Sequence, residues 1–177
     1  MKVKRIIRWI LFPLLTFLPS LRLNGLKRII SNFGGHEIDH HVRIASSTKI
    51  IGDFTAHIGA NTFIGHETMI IGGKSDIYIG KHCDISSRVS LVMGSHEIAI
   101  ESERSAGIGF SKSIIIDDGV WIGFGATVLP GVKIGKNSII GAGSIVNKTI
   151  PPYTIAAGNP CKIIKQYNQT TGQWTTV

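Results

Sequence analysis

The sequence predicts an all-β solenoid of about five coils, each built from three short strands. Three observations carry that reading. Aliphatic residues at Ile116, Ile122, Val128, Ile134, Ile140 and Val146 recur every six residues without a slip. A small or apolar residue stands four places after each of them, at Val120, Ala126, Val132, Ser138, Ser144 and Ile150, and Gly follows the lead residue at Gly123, Gly135 and Gly141. The same template extends backwards through Leu91, Ile85, Ile79, Ile71, Ile64, Ile58, Ile51, Ile44 and Ile38, with one- or two-residue insertions between several units. A strand this short cannot stand alone, so the units are stable only when stacked rungs pair their backbones and pile their aliphatics into one core. Six units and nine make 15, and three to a coil make five coils, a stack about 24 Å tall at ~4.8 Å between paired strands.

Residues 1–35 precede the repeats and differ from them in composition. Lys2, Lys4, Arg5, Arg8, Arg22, Lys27 and Arg28 come before the first acid, Glu37, and supply seven of the net +8. The remaining 12 of the 19 Lys and Arg face 11 Asp and Glu, so the repeat region is nearly neutral and nucleic acid is not an expected partner. Trp9 to Leu21 is apolar but too short and too broken by Pro to span a bilayer, which needs about 20 apolar residues. A signal peptide is the rival reading, and no small-x-small cleavage site follows Pro19 and Ser20. The expectation is a pair of short helices, about Val3 to Leu18 and Ser20 to Asn32. Two roles stay open for them: peripheral contact with anionic lipid at the cytoplasmic face of the inner membrane, or packing on the end of the prism to protect its open edge.

Residues 36–160 hold the repeats. Their longest break runs from Leu91 to Ile116, 25 residues in which Met93 to Ser113 carries Gly, Ser and charge but no template match. This predicts an excursion loop, 93–113, leaving the scaffold at a place where chemistry tends to sit. Pro151 and Pro152 end the period. Residues 161–177 are expected as a short cap helix, Cys161 to Tyr167, and a tail without signal. Two cysteines, Cys83 and Cys161, read as free thiols in a reducing cytosol.

The stretch IIIDDGVWIGFGATVLPGVKIGKNSIIGAGSIVNKTIPPYTIAAGNPCKII, with the dipeptide Ser95-His96 at the start of the excursion, resembles the hexapeptide-repeat acyltransferases. The likeness is to galactoside and maltose O-acetyltransferases and to bacterial surface-polysaccharide O-acetyltransferases, and it covers about residues 38–165. It implies a left-handed parallel β-helix, a homotrimer, and acetyl-CoA bound in a groove between subunits of a cytoplasmic enzyme. Handedness comes only from the resemblance, since ordinary parallel crossovers go the other way.

In that family a loop histidine is the general base, and His96 stands at its place. A sugar hydroxyl is a poor nucleophile toward a thioester until its proton is being removed, and an imidazole with a pKa near 6.5 suits that task. A carboxylate or a backbone carbonyl should hold the opposite ring nitrogen; Glu97 and Glu103 are the nearby acids. For the donor, the resemblance carries a backbone contact to Ala142 and the adenosine end to Asn147 and Lys148. Lys162 and Lys165 stand where relatives often have Arg, which grips phosphate better than Lys. Phe124 replaces a small polar residue and either narrows the groove or stacks on the donor. For a saccharide acceptor, the matching positions are His66 and either Lys74 or Asp76.

Other readings use the same residues. Acetylation of an amino-sugar amine or of a xenobiotic needs the same base and donor groove. A γ-class carbonic anhydrase would need three imidazoles around zinc, and His57, His66 and His82 are the candidates; no metal is expected. His36, His40 and His41 read as a solvated cap on the first coil.

Overall fold

The computed structural model describes residues 15–177. A 3-10 turn at Leu15–Phe17 precedes helix α1 (Asn24–Phe33), and then the coils begin. The first is β1 (Glu37–Ile38), β2 (Arg43–Ile44) and β3 (Lys49–Ile51); the second is β4 (Ala56–Ile58), β5 (Phe63–Ile64) and β6 (Met69–Ile71). The third is β7 (Ile77–Ile79), β8 (Asp84–Ile85) and β9 (Ser90–Val92), after which β10 (Gly94–Ile98) and β11 (Ala106–Ser111) leave the prism. The fourth is β12 (Ile114–Ile116), β13 (Trp121–Ile122) and β14 (Thr127–Val128), and the fifth is β15 (Lys133–Ile134), β16 (Ile139–Ile140) and β17 (Ile145–Val146). Equivalent strands stack in parallel into three sheets, β1-β4-β7-β12-β15, β2-β5-β8-β13-β16 and β3-β6-β9-β14-β17. The second sheet continues through β18 (Thr154–Ala157), β19 (Lys162–Asn168) and β20 (Gln173–Thr176).

The fifteen expected units are the fifteen strands of the five coils, with one correction to their register. In β3 and β6 the buried residue is Ile50 or Ile70, whereas Ile51 is 47% exposed. Side chains alternate across a strand, and the pairing Ile50↔Ile70↔Leu91 puts these three in one inward column. With that shift the six-residue step holds inside every coil: 38, 44, 50; 58, 64, 70; 79, 85, 91; 116, 122, 128; 134, 140, 146. All insertions therefore fall at one corner of the prism, the third, where the chain passes from the third sheet to the first.

Two features of the template acquire physical reasons. Buried hydroxyls at the second position tie each coil to the next: Thr48 donates to the Gly65 carbonyl at 3.1 Å, Thr62 to Gly80 at 2.8 Å, Thr68 to Ser86 at 3.0 Å and Ser138 to Pro151 at 2.7 Å. A polar group is tolerated in the interior because each has a partner. Gly after the lead residue is a matter of proximity: a Cβ on Gly123 would lie 2.6 Å from the Ala142 amide nitrogen and 2.8 Å from the Ile140 carbonyl oxygen. Gly123→Ala is expected to destabilise by about 1–3 kcal/mol through forced separation of coils. Gly125→Asn, at φ +67° in open space, should be close to neutral, because Asn tolerates the left-handed region; urea unfolding of the two variants checks the contrast.

At the C-terminal end the expected cap helix is replaced by strand. Lys162–Asn168 pairs antiparallel with β18 and then with β20, and Tyr167 packs against Trp174 with ring centroids 5.2 Å apart. The free edge of β18 offers a ladder of backbone partners, while a seven-residue helix in water is marginal. Met93, assigned to the excursion, is fully buried; the hairpin departs one residue later.

At the N-terminal end the first expected helix falls mostly outside the described residues, and the second is α1. It covers the open edge of the first coil with polar side chains. Asn32 donates to the Ile38 carbonyl at 3.0 Å and accepts from the Ile38 amide at 2.8 Å, and Lys27, only 2% exposed, donates to the Ile44 carbonyl at 2.9 Å. Burial lowers the Lys27 pKa. Each edge group left without such a partner would cost about 1–3 kcal/mol, which holds α1 in this rotation.

Candidate active site

The excursion is a β-hairpin standing on the third corner, between the third and fourth coils. Its register sets Gly94 opposite Ser111, Ser95 opposite Phe110 and His96 opposite Gly109. Its base is stapled to the neighbouring insertion at the same corner, where the Ser75 hydroxyl donates to the Ser111 carbonyl at 2.8 Å, and it is closed by the Lys112 amide donating to the Met93 carbonyl at 2.9 Å. The hairpin is thus fixed at its root, and His96 sits two residues beyond the first pair.

The His96 ring is oriented by backbone. Its Nδ1 lies 2.9 Å from the Gly107 carbonyl oxygen. A carbonyl only accepts, so Nδ1 carries the hydrogen, and in the neutral tautomer this leaves the lone pair on Nε2. The carboxylates of Glu97 and Glu103 line a separate hollow at the hairpin tip with Ser102 and Arg104. His96 itself opens on a cleft of about 580 Å³ lined by Gly73, Lys74, Ser75, Ser95 and Phe110. The Gly107 carbonyl carried no sequence signal, because every residue has one; the Ser75–Ser111 staple was equally hidden, since its members belong to two separate insertions.

Among acceptor candidates, Lys74 joins His96 in the cleft. Asp76 faces elsewhere, its Oδ1 accepting the Thr55 amide at 2.7 Å and its Oδ2 lying 3.7 Å from His57 Nε2. His66 stands at the second corner with its Nδ1 3.4 Å from the Ser20 and Ser47 hydroxyls. Within one chain, Asp76 and His66 do not line the His96 cleft.

The donor candidates divide between two corners. Phe124 and Ala142 stack on the second corner in successive coils, the Gly143 amide bonding to the Phe124 carbonyl at 2.8 Å. Arg88, one coil below, lies over the Phe124 ring at 5.8 Å from its centroid. Lys162 pairs with Ala157 and Lys165 with Ile155 on the continuation of the same sheet, both exposed. Asn147 and Lys148 are exposed at the third corner, after β17. The third sheet separates the corners, a width of about 17 Å for residues 126–130 at ~3.3 Å each.

Most of the remaining histidines have contacts away from the cleft. His57 is on strand β4, stacked on Tyr78 at 4.5 Å with its Nδ1 2.8 Å from Glu37 Oε2, while His66 and His82 occupy two different corners. Those three do not converge, and among the described residues no group of three His, Cys, Asp or Glu could hold a metal ion. His41 and His82 take the left-handed backbone at φ +56° and +55°, as Asn61 and Asn137 do at the same corner position of the second and fifth coils. His36 is buried and not solvated as expected; its Nδ1 accepts the Ala56 amide at 3.1 Å. A larger hollow, about 890 Å³, lies over the first sheet beside His57 and Tyr78, and the hairpin contributes nothing to it. Cys83 and Cys161 are free, and burial pushes both thiols up.

Comparison with known proteins adds the following. Residues 113–148 match the model of the bacterial transferase hexapeptide (six repeats). The chain is 34% identical over 152 residues to a galactoside O-acetyltransferase of Lactococcus lactis, covering 86% of this chain and 70% of that one. It is 33% identical over 156 residues to a putative lipopolysaccharide biosynthesis O-acetyl transferase of Escherichia coli, covering 88% and 70%. A putative acetyltransferase of Saccharomyces cerevisiae is 40% identical over 113 residues, 64% of this chain but only 57% of the yeast protein. The structure is similar to that of a maltose O-acetyltransferase from Clostridium difficile, with a TM-score of 0.76, 29% identity, and coverage of 95% and 88%.

Proposed function

The chain belongs to the hexapeptide-repeat acyltransferases, and on that premise we propose that it transfers an acetyl group from acetyl-CoA to a hydroxyl of a saccharide. The observation that carries the proposal is the His96 ring, held by the Gly107 carbonyl so that Nε2 is the basic nitrogen beside an open cleft. In the reaction Nε2 takes the proton of the acceptor hydroxyl as its oxygen adds to the thioester carbonyl. The tetrahedral adduct then expels the CoA sulfur, which leaves with the proton from the imidazolium. Atoms balance without a metal or a redox step.

The donor groove in this reading is shared between subunits of a homotrimer. Phe124 and Ala142 are a sheet's width from His96 in one chain, so a single extended thioester reaches both most simply when the second corner of one copy faces the hairpin of the next. Ala142 would offer backbone to the pantetheine arm, Phe124 with Arg88 would bound the groove, and Lys162, Lys165, Asn147 and Lys148 would meet the nucleotide end. Lys74 would face the acceptor, with Asp76 and His66 assigned to it only if a neighbouring copy carries them to the cleft. The E. coli relative's name supports an acceptor in envelope polysaccharide, and a reaction drawing on acetyl-CoA would run in the cytoplasm.

The test is thiol release from acetyl-CoA against panels of saccharide hydroxyl and amine acceptors, with the mass of the protein in solution measured alongside. Release with hydroxyl acceptors and a mass of three chains are expected. Turnover with amines alone would move the reaction to nitrogen, and no release with any acceptor would remove the enzymatic reading.

A further inference from the structure

Helix α1 is amphipathic in the reverse sense for a helix on a globular core. Its polar side, Lys27 and Ser31, is buried on the first coil, and its apolar side looks outward. Leu26, Ile29 and Phe33 fall on that side at a spacing of three and four, and Leu23, the residue just before the helix, is also exposed; Ile29 is 60% exposed and Phe33 63%. Phe17 and Leu21 in the preceding turn are exposed as well. The bonds from Lys27 and Asn32 to the edge of the first coil fix the rotation, so the apolar stripe is held outward by the fold.

The charges around the stripe have one sign. Arg22 is exposed, Arg28 is half-buried, and no acid occurs before Glu37, while residues 1–14 add Lys2, Lys4, Arg5 and Arg8. A second copy of α1 laid on this surface would bring like charges together, and so would residues 1–14 of the same chain. An anionic surface with an apolar interior complements both the charge and the stripe. The ten-residue helix is about 15 Å long, and among the described residues no helix is long and apolar enough to cross a membrane. Such an element lies in the plane of the interface.

We propose that α1 and the turn before it form a binding surface for anionic phospholipid bilayers. Leu23, Leu26, Ile29 and Phe33 enter the boundary between headgroups and acyl chains, with Arg22 and Arg28 at the level of the phosphates. Because α1 closes the first coil, the prism then stands on the membrane by its N-terminal end. His96, between the third and fourth coils, is held about 15 Å above that end at ~4.8 Å per coil. The surface serves an acceptor that is itself lipid-borne, a refinement that rests on the acetyl-transfer reading; membrane binding does not.

The experiment is co-sedimentation of the full chain with vesicles of phosphatidylglycerol and phosphatidylethanolamine, and with vesicles of phosphatidylcholine alone. Binding to the anionic vesicles is expected to be at least tenfold stronger and to fall with salt. The triple variant Leu26→Ser, Ile29→Ser, Phe33→Ser should lose at least tenfold of it while its unfolding midpoint and solution mass stay those of the parent chain. Equal binding by the triple variant overturns the proposal, including the case where binding disappears only on removal of residues 2–14. A triple variant with altered mass means that a second copy covers the stripe, and one with a midpoint several degrees lower means that the chain itself does; either result overturns it.

Discussion

His96→Ala is expected to lower kcat at least a hundredfold, with little change in the concentration of acetyl-CoA needed for half-saturation. The size follows from the role: a positioned general base contributes about 10² to 10⁴ in rate, and nothing else in the cleft can replace it. Lys74 is the other titratable side chain there, and a lysine head group is by type a hydrogen-bond donor without an acceptor. The donor should be little affected, because the residues assigned to it stand on the second corner, the C-terminal strand and the end of the fifth coil, outside the hairpin. Nor should the fold suffer, since His96 is exposed and its ring bonds within the hairpin, to the Gly107 carbonyl. Steady-state kinetics with a responsive acceptor, alongside a thermal melt, checks all three expectations. A variant that keeps parental turnover removes His96 from the mechanism while leaving the family and fold in place.

Ile122→Ala should have the largest effect on stability, about 3 kcal/mol, or roughly 10 °C in melting temperature for a chain of this size. Ile122 is fully buried and lies in the middle of its inward column, paired in register with Ile85 below and Ile140 above. Truncation therefore opens a void that cannot collapse without pulling two ladders out of register. Ile115→Ala one strand earlier is the control. Ile115 points outward and is 38% exposed, so its loss should cost less than about 1 kcal/mol. Equal losses at the two sites would mean that inward and outward positions have been interchanged in the fourth coil.

The site was partly legible for a reason visible in individual residues. The excursion stood out because it broke a period that otherwise held, which needs no three-dimensional information to be seen, and His96 within it stood out because the resemblance puts the family's loop histidine at that place. Its orienting partner could not be read, because the Gly107 carbonyl is chemically the same as any other and only the hairpin's register brings it to the ring. Asp76 and His66 were credible by position along the chain and are separated by the fold, one beside Thr55 and His57, the other beside Ser20 and Ser47. The strand at Lys162–Asn168 was missed because its reason for being a strand is the open edge of β18, a partner residing in another segment. The rotation of α1 was equally beyond local reading. An amphipathic helix is expected to bury its apolar side, and only the unpaired backbone of Ile38 and Ile44 explains why this one buries Lys27.

Periodicity by itself determined the architecture: one aliphatic every six residues admits a stack of short parallel strands and little else, because each unit is too small to bury its apolar side without the next. It also determined how many coils there are and where the chain leaves them. Which isoleucine of a neighbouring pair turns inward at β3 and β6, which face of α1 meets water, and what holds the histidine were decided by tertiary structure. Each of those is a choice between locally equivalent groups, and it is settled by hydrogen bonds and packing with partners distant in the chain.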